Sequence, residues 1–133
     1  EATWTDDQGR AWLRTGDVGR IDEDGFLHIV DRKKDMIVSG GQNVYPADIE
    51  ATALEHPDVS ECAVIGLPHK EWGETPLALV VLRGSGASEE DIKAWINQRV
   101  GRQQRVSAVR FLDVLPRNPA GKILKRELRD AYR

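Results

Sequence analysis

Two strongly apolar runs, VSECAVIGL at 59–67 and TPLALVVLR at 75–83, constrain the fold more than any other feature of the chain. Each has the length of a strand and too little alternation for a surface one, so they read as paired central strands joined by the loop PHKEWGE. Around them the pattern supplies the rest of a small sheet and its cover. WLRTGDVGRIDEDGFLHIV, residues 12–30, predicts a β-hairpin about the turn Asp22–Gly25, because Asp-Gly between apolar runs is a strong hairpin signal. A short strand at Met36–Val38, the pair Gly40-Gly41 and a second strand around Val44 follow. Pro46 opens a helix with acids in its first turn, ending near Glu55 ahead of Pro57. Arg83–Ala87 is a turn, and Ser88 with Glu89, Glu90 and Asp91 caps a helix to about Val100, with Ile92, Trp95 and Ile96 on its core face. A strand over 108–115, the loop PRNPAG and a last helix presenting Ile123, Leu124, Leu128 and Tyr132 complete an α+β domain: a small sheet flanked by about three helices and preceded by a β-hairpin.

Composition narrows the function classes. At 133 residues, 40% hydrophobic and 31% charged, the chain is one ordinary globular domain, or a small domain with an appendage. Cys62 is the one cysteine, which excludes an internal disulfide; His28, His56 and His69 show no ligand spacing, so no metal site is expected. Cys62 reads as a small buried hydrophobe. No apolar run reaches the roughly 18 residues of a membrane span, and no leader pattern occurs, so a cytoplasmic setting is the default. Glu1 rather than Met, followed at once by a motif-bearing segment, leads us to expect a chain that begins within something larger. Residues 1–98 hold 9 Lys+Arg against 19 Asp+Glu, whereas 99–133 hold 10 against 3. A basic end suits nucleic acid, an acidic membrane or a small polyphosphate, besides the plain reading of a solvated helix face.

Three segments in order, RTGD at 14–17, DRKKDMIVSGGQNVYPADIE at 31–50 and LPRNPAGKILKREL at 115–128, resemble the C-terminal signatures of adenylate-forming enzymes: acyl-CoA synthetases, luciferases and the adenylation domains of peptide synthetases. In that family a large N-terminal domain binds ATP and acid, and a small C-terminal lid swings over it, first for acyl-adenylate formation and then for thiol transfer. The resemblance implies that 1–31 is the end of the N-terminal domain and 32–133 the lid.

It also implies roles, residue by residue. Asp17 matches the aspartate that accepts from the ribose hydroxyls of ATP, a task suited to an acceptor-only carboxylate; a turn aspartate is the alternative. Arg32 matches an arginine at the ribose or phosphate, with a simple surface charge as the alternative. Lys34 falls on the hinge, with Lys33 beside it as the alternative. Gly40 and Gly41 resemble glycines lining the passage of the pantetheine arm, although a tight strand turn would use them equally. Trp72 matches an aromatic that stacks on the adenine of CoA, against a tryptophan folded back on the domain. Arg105 is a candidate for the CoA phosphates, in a stretch where Gln103, Gln104 and Val106 depart from the aromatic, lysine and proline of many acyl-CoA synthetases. Lys122, ending a loop stiffened by Pro116, Pro119 and Gly121, matches the catalytic lysine that bridges the acid's carboxylate and the α-phosphate; a cap at the start of the last helix is the alternative, though a helix N-terminus disfavours a cation. That loop is not a P-loop, having Pro116 and Ile123 where glycine and Ser or Thr are needed.

The implied function is the lid of an AMP-forming acyl-CoA ligase, inactive alone. Its substrates are a carboxylic acid, ATP and CoA; Mg²⁺ and most of the ATP site fall to the missing N-terminal domain, the lid's partner. By the same resemblance a lysine acetyltransferase acting on Lys122 would silence adenylation. Two rivals stand beside this: a lid serving a carrier protein or a luciferase-like enzyme, and a non-enzymatic binding module whose basic tail engages nucleic acid or protein.

Overall fold

A computed structural model describes residues 3–13, 15–84 and 86–132. Arg14 of the first signature and Ser85 of the turn expected at 83–87 lie outside the described residues, as do the side chains of Trp4 and Trp12. The chain forms two compact units, Glu1–Lys34 and Asp35–Arg133.

The first unit is two antiparallel ribbons, β1 (Thr3–Thr5) with β2 (Ala11–Leu13) and β3 (Asp17–Ile21) with β4 (Leu27–Arg32). Asp22 closes the second as expected. Its Oδ1 accepts the backbone N–H of Asp24 at 3.0 Å and of Phe26 at 2.9 Å, and Gly25 takes φ +85°. Its other oxygen meets His28 Nε2 at 2.7 Å, and that bond first, then the Phe26 N–H, holds the Asp22 carboxyl below its ordinary range.

In the second unit β5 (Ile37–Ser39), β6 (Gln42–Val44), β7 (Val59–His69), β8 (Gly73–Leu82) and β9 (Ala108–Phe111) form one mixed sheet in the order β6-β5-β8-β7. β9 runs parallel to β8 along Leu77–Val80. Helices α1 (Pro46–Leu54) and α2 (Glu89–Asn97) place Ile49, Ala53, Ile92 and Ile96 against Cys62, Val64, Ala78 and Val80. On the opposite face α3 (Lys125–Tyr132) and the preceding loop place Leu128 and Leu115 against Ala63, Ile65, Leu77 and Leu79. Both faces of β7 and β8 are therefore covered, which explains why their sequences run apolar without alternation.

Several expected boundaries move, each for a local reason. The loop PHKEWGE shrinks to Lys70–Trp72, because Pro68 and His69 pair with Glu74 and Gly73 and carry the ladder past the core. β5 occupies Ile37–Ser39 rather than Met36–Val38. Ser88 and Asp91 form the expected capping box, but α2 stops at Asn97 rather than Val100. There the Asn97 side-chain amide bonds both backbone groups of Val106, accepting the N–H at 2.8 Å and donating to the carbonyl at 3.0 Å. The strand expected over 108–115 ends at Phe111, after which the chain turns so that Leu115 enters the core. The last helix starts at Lys125, since Ile123 bridges to Arg117 and the Leu124 N–H donates to the Pro116 carbonyl at 2.8 Å.

Cys62 is buried, and burial first, with Glu50 second, pushes its thiol up to about 12. A thiol raised this far favours the folded state up to the unfolded pKa, roughly 8.5, and loses that contribution as pH climbs toward the folded value. We expect thiol reagents at pH 8 to label Cys62 only at the rate of unfolding; rapid stoichiometric labelling of folded chain would contradict its burial.

Candidate functional site

Strand register brings the first two candidates together. Asp17 and Arg32 are directly paired across β3 and β4, and Arg32 Nε lies 3.0 Å from Asp17 Oδ1, both side chains being partly exposed. One such contact leaves a carboxylate with acceptor capacity to spare, so the pair presents acceptor and cation at a single place. Lys34 is exposed, in the 3₁₀ turn Lys33–Asp35, and is the last residue of the first unit. The next residue is fixed: Asp35 Oδ1 accepts from Arg129 Nη1 of α3 at 3.3 Å, within the second unit.

A cleft of about 470 Å³ gathers Ser39, Gly40, Trp72, Thr75, Arg102, Gln103 and Arg105. Three expected thiol-substrate residues, Gly40, Trp72 and Arg105, thus share one surface. The ladder builds it: Ser39 pairs with Gly73, and the Gly40 N–H donates to the Trp72 carbonyl at 2.9 Å. Glu74 pins the junction, accepting the Val38 N–H at 3.1 Å, and it lies against Gly66, where a Cβ would stand 2.7 Å from Glu74 Oε2. Gly40 and Gly41, at φ +58° and +79°, are the two turn residues between β5 and β6, so the turn alone requires them. A Cβ on Gly40 would reach Gln103 Oε1 at 3.6 Å, while Gly41, outside the cleft lining, faces open space.

Trp72 is 50% exposed and has a partner that the sequence did not suggest: its indole stacks on the His69 ring, centroids 4.4 Å apart and planes within 11°. Arg102 was also missed as a lining residue. The available signal was a second arginine three positions before Arg105; Arg102 opens the 3₁₀ turn Arg102–Gln104 and Arg105 follows it in extended conformation. Thr75 and Ser39 are buried polar residues of the lining and gave no sequence signal. Of the departures from the usual pattern, Val106 is core, and Gln104 Oε1 accepts the Gly101 N–H at 3.0 Å. Trp95, expected in the core, packs against it at one edge and carries the Arg99 guanidinium 3.7 Å from its ring centroid.

Lys122 belongs to a braced loop. Asn118 Oδ1 accepts the Lys122 N–H at 3.0 Å, the Asn118 N–H donates to the Lys122 carbonyl at 2.9 Å, and Gly121 takes φ +87°. Arg117 donates to the Gly121 carbonyl at 2.8 Å and is ion-paired with Glu61 of β7. Of the neighbouring cations, Lys125 is engaged with Glu50 at 2.9 Å and Arg129 with Asp35, while Arg126 is exposed. Lys122 differs from the paired ones: it is exposed, and among the described residues no carboxylate pairs with its amine. It lies three residues ahead of α3, so capping that helix does not account for it.

The loop and the cleft sit toward opposite ends of one hairpin. Glu61, which anchors the loop, and Leu67, which pairs with the cleft residue Thr75, are six residues apart on β7, roughly 20 Å along a strand. Among the described residues no group of three His, Cys, Asp or Glu side chains could hold a metal ion. No described helix is long and apolar enough to cross a membrane.

Known proteins resemble this chain closely. A long-chain-fatty-acid–CoA ligase of Mycobacterium tuberculosis is 51% identical over 121 residues, 91% of this chain and 24% of that protein. A 2-succinylbenzoate–CoA ligase of Geobacillus kaustophilus is 47% identical over 119 residues, 89% of this chain and 24% of that protein. The crystal structure of ATP-bound MatB from Rhodopseudomonas palustris superposes with a TM-score of 0.85 at 40% identity, over 96% of this chain and 25% of that one. The chain thus spans about a quarter of the length of these relatives. Residues 48–122, more than half of the chain and running from α1 to the exposed lysine, match the AMP-binding enzyme C-terminal domain, and the chain belongs to that family.

Proposed function

We propose that this chain is the mobile C-terminal lid of an AMP-forming acyl-CoA ligase, with 1–31 the end of the large N-terminal domain and 32–133 the lid itself. The intact enzyme converts a carboxylic acid, ATP and CoA into acyl-CoA, AMP and pyrophosphate through an acyl-adenylate. The observation that carries this reading is the separation of two chemistries on one rigid hairpin: a free cation toward one end and an aromatic, arginine-lined cleft toward the other. Adenylation and thiol transfer would draw on these two ends separately, and a lid that turned between the steps would present them in turn.

In adenylation Lys122 lies between carboxylate and α-phosphate, lowering the repulsion of two approaching anions, while Asp17 and Arg32 hold the nucleotide's ribose side. Lys34, solvated at the division between the two units, absorbs the backbone change, and Asp35, tied to α3, turns with the lid. In transfer the cleft takes CoA: Trp72 stacks the adenine, Arg105 meets the phosphates, and Gly40-Gly41 border the pantetheine arm. Mg²⁺ falls to the large N-terminal domain, as among the described residues no group of three His, Cys, Asp or Glu side chains could hold a metal ion by itself. The exposed Lys122 amine is also open to acetyl transfer, which would remove its charge.

The rival with a nucleic-acid-binding tail is disfavoured by how that tail is used. Arg110, Arg117, Lys125 and Arg129 each face a carboxylate of the body, which takes four of the tail's cations away from a polyanion. The closer rival, a carrier-protein acceptor, is decided by giving the intact enzyme CoA or a phosphopantetheinyl carrier protein. We expect turnover with CoA to exceed that with the carrier by at least roughly 10²-fold in kcat/KM, the scale of discrimination when a dedicated site goes unfilled. Equal or better use of the carrier would overturn the acceptor assignment.

A further inference from the structure

We infer that His69 is a positioning residue for the thiol substrate, holding the Trp72 indole as a rigid face for the incoming base; the inference rests on the reading of the cleft as a CoA site. Trp72 occupies a three-residue connection between two long strands, where an unsupported side chain would sample several rotamers. His69 removes that freedom in two ways. Its Nδ1 accepts the backbone N–H of Glu71 at 3.1 Å and of Trp72 at 3.2 Å, which fixes the turn. Its ring then lies almost parallel to the indole at 4.4 Å, which fixes the side chain.

The turn contact sets the tautomer: an Nδ1 that accepts two N–H donors is unprotonated, so the proton of the neutral ring sits on Nε2. His69 itself does not line the cleft, whereas Trp72 does. One indole face is therefore occupied by imidazole and the other is left for a ligand, and a bound purine would complete a three-layer stack: imidazole, indole, base. Preorganisation of this kind acts by removing an ordering cost that binding would otherwise bear.

The test uses pantetheine, which has the reacting thiol but no nucleotide, as a second acceptor for the intact ligase. His69→Asn keeps an acceptor atom near Nδ1 and removes the ring; His69→Phe keeps a ring and removes the acceptor. Each variant is expected to raise KM for CoA about fivefold, the lower end of what one base stack contributes, with kcat and the KM for pantetheine unchanged. Equal losses with CoA and pantetheine would show a merely structural histidine, and unchanged CoA kinetics in both variants would show an idle one; either overturns the inference. Trp72→Ala run in parallel separates the two levels. If it raises KM for CoA while the His69 variants do not, the cleft reading stands and only His69 fails; if it too leaves KM unchanged, the cleft reading falls first and this inference with it.

Discussion

Lys122→Ala in the intact ligase should strongly impair acyl-AMP formation while largely sparing transfer of the acyl group from preformed acyl-AMP to CoA. The expected loss in carboxylate-dependent ATP–pyrophosphate exchange is roughly 10²–10³-fold, the scale on which removing one preorganised group that stabilises developing charge lowers kcat. The asymmetry between the half-reactions follows from the geometry. Lys122 lies on a loop anchored to β7 at Glu61, while the cleft proposed for the thiol lies toward the other end of the same strand pair. On the proposed function, a lid turned to offer that cleft would carry Lys122 away, and its charge would be absent from the transfer step. Stability supplies a control. The amine is exposed with no carboxylate partner, so truncation should shift unfolding by less than about 0.5 kcal/mol, as for an ordinary surface substitution. Lys122→Gln, which mimics the acetylated charge state, should behave like Ala. Exchange at near-normal rate in either variant would remove the central assignment.

How far the sequence reached depended on whether the information was local. The core strands were legible because a residue covered on both faces must be apolar, and Ala63–Ile65 and Leu77–Val80 are so without exception. The Asp22 turn and the Ser88–Asp91 cap were legible because each is a short-range bond between residues that sequence places side by side. Boundaries set by distant partners were not. Asn97 ends α2 by bonding Val106, and Leu115 leaves the edge of the sheet to fill its far face. The same division holds at the site. Lys122 and Trp72 stood out as a cation and an aromatic in polar loops, but His69 under Trp72 becomes visible only once the hairpin ladder is known to run past the core. Arg102 required knowledge that its segment is 3₁₀ rather than extended.

Trp72→Ala is expected to leave acyl-AMP formation intact and to raise KM for CoA by roughly 5- to 150-fold, corresponding to the 1–3 kcal/mol that a base–aromatic stack contributes. The indole is half exposed with one face already on His69, so its loss creates no core cavity and the chain should fold as before. Trp72→Phe retains a π face of smaller area and should fall between the two. Arg102 and Arg105 would act on the same ligand by a different force. Replacing either with Gln should weaken CoA binding less at high ionic strength than at low, because guanidinium–phosphate attraction is screened by salt, whereas the Trp72 effect should be nearly independent of salt. The two dependences can be read from one series of KM values at rising salt. A Trp72→Ala loss that grew or shrank with salt as the arginine losses do would mean that the indole merely shapes a charged surface, and a loss shared equally by pantetheine would mean that no base is stacked there.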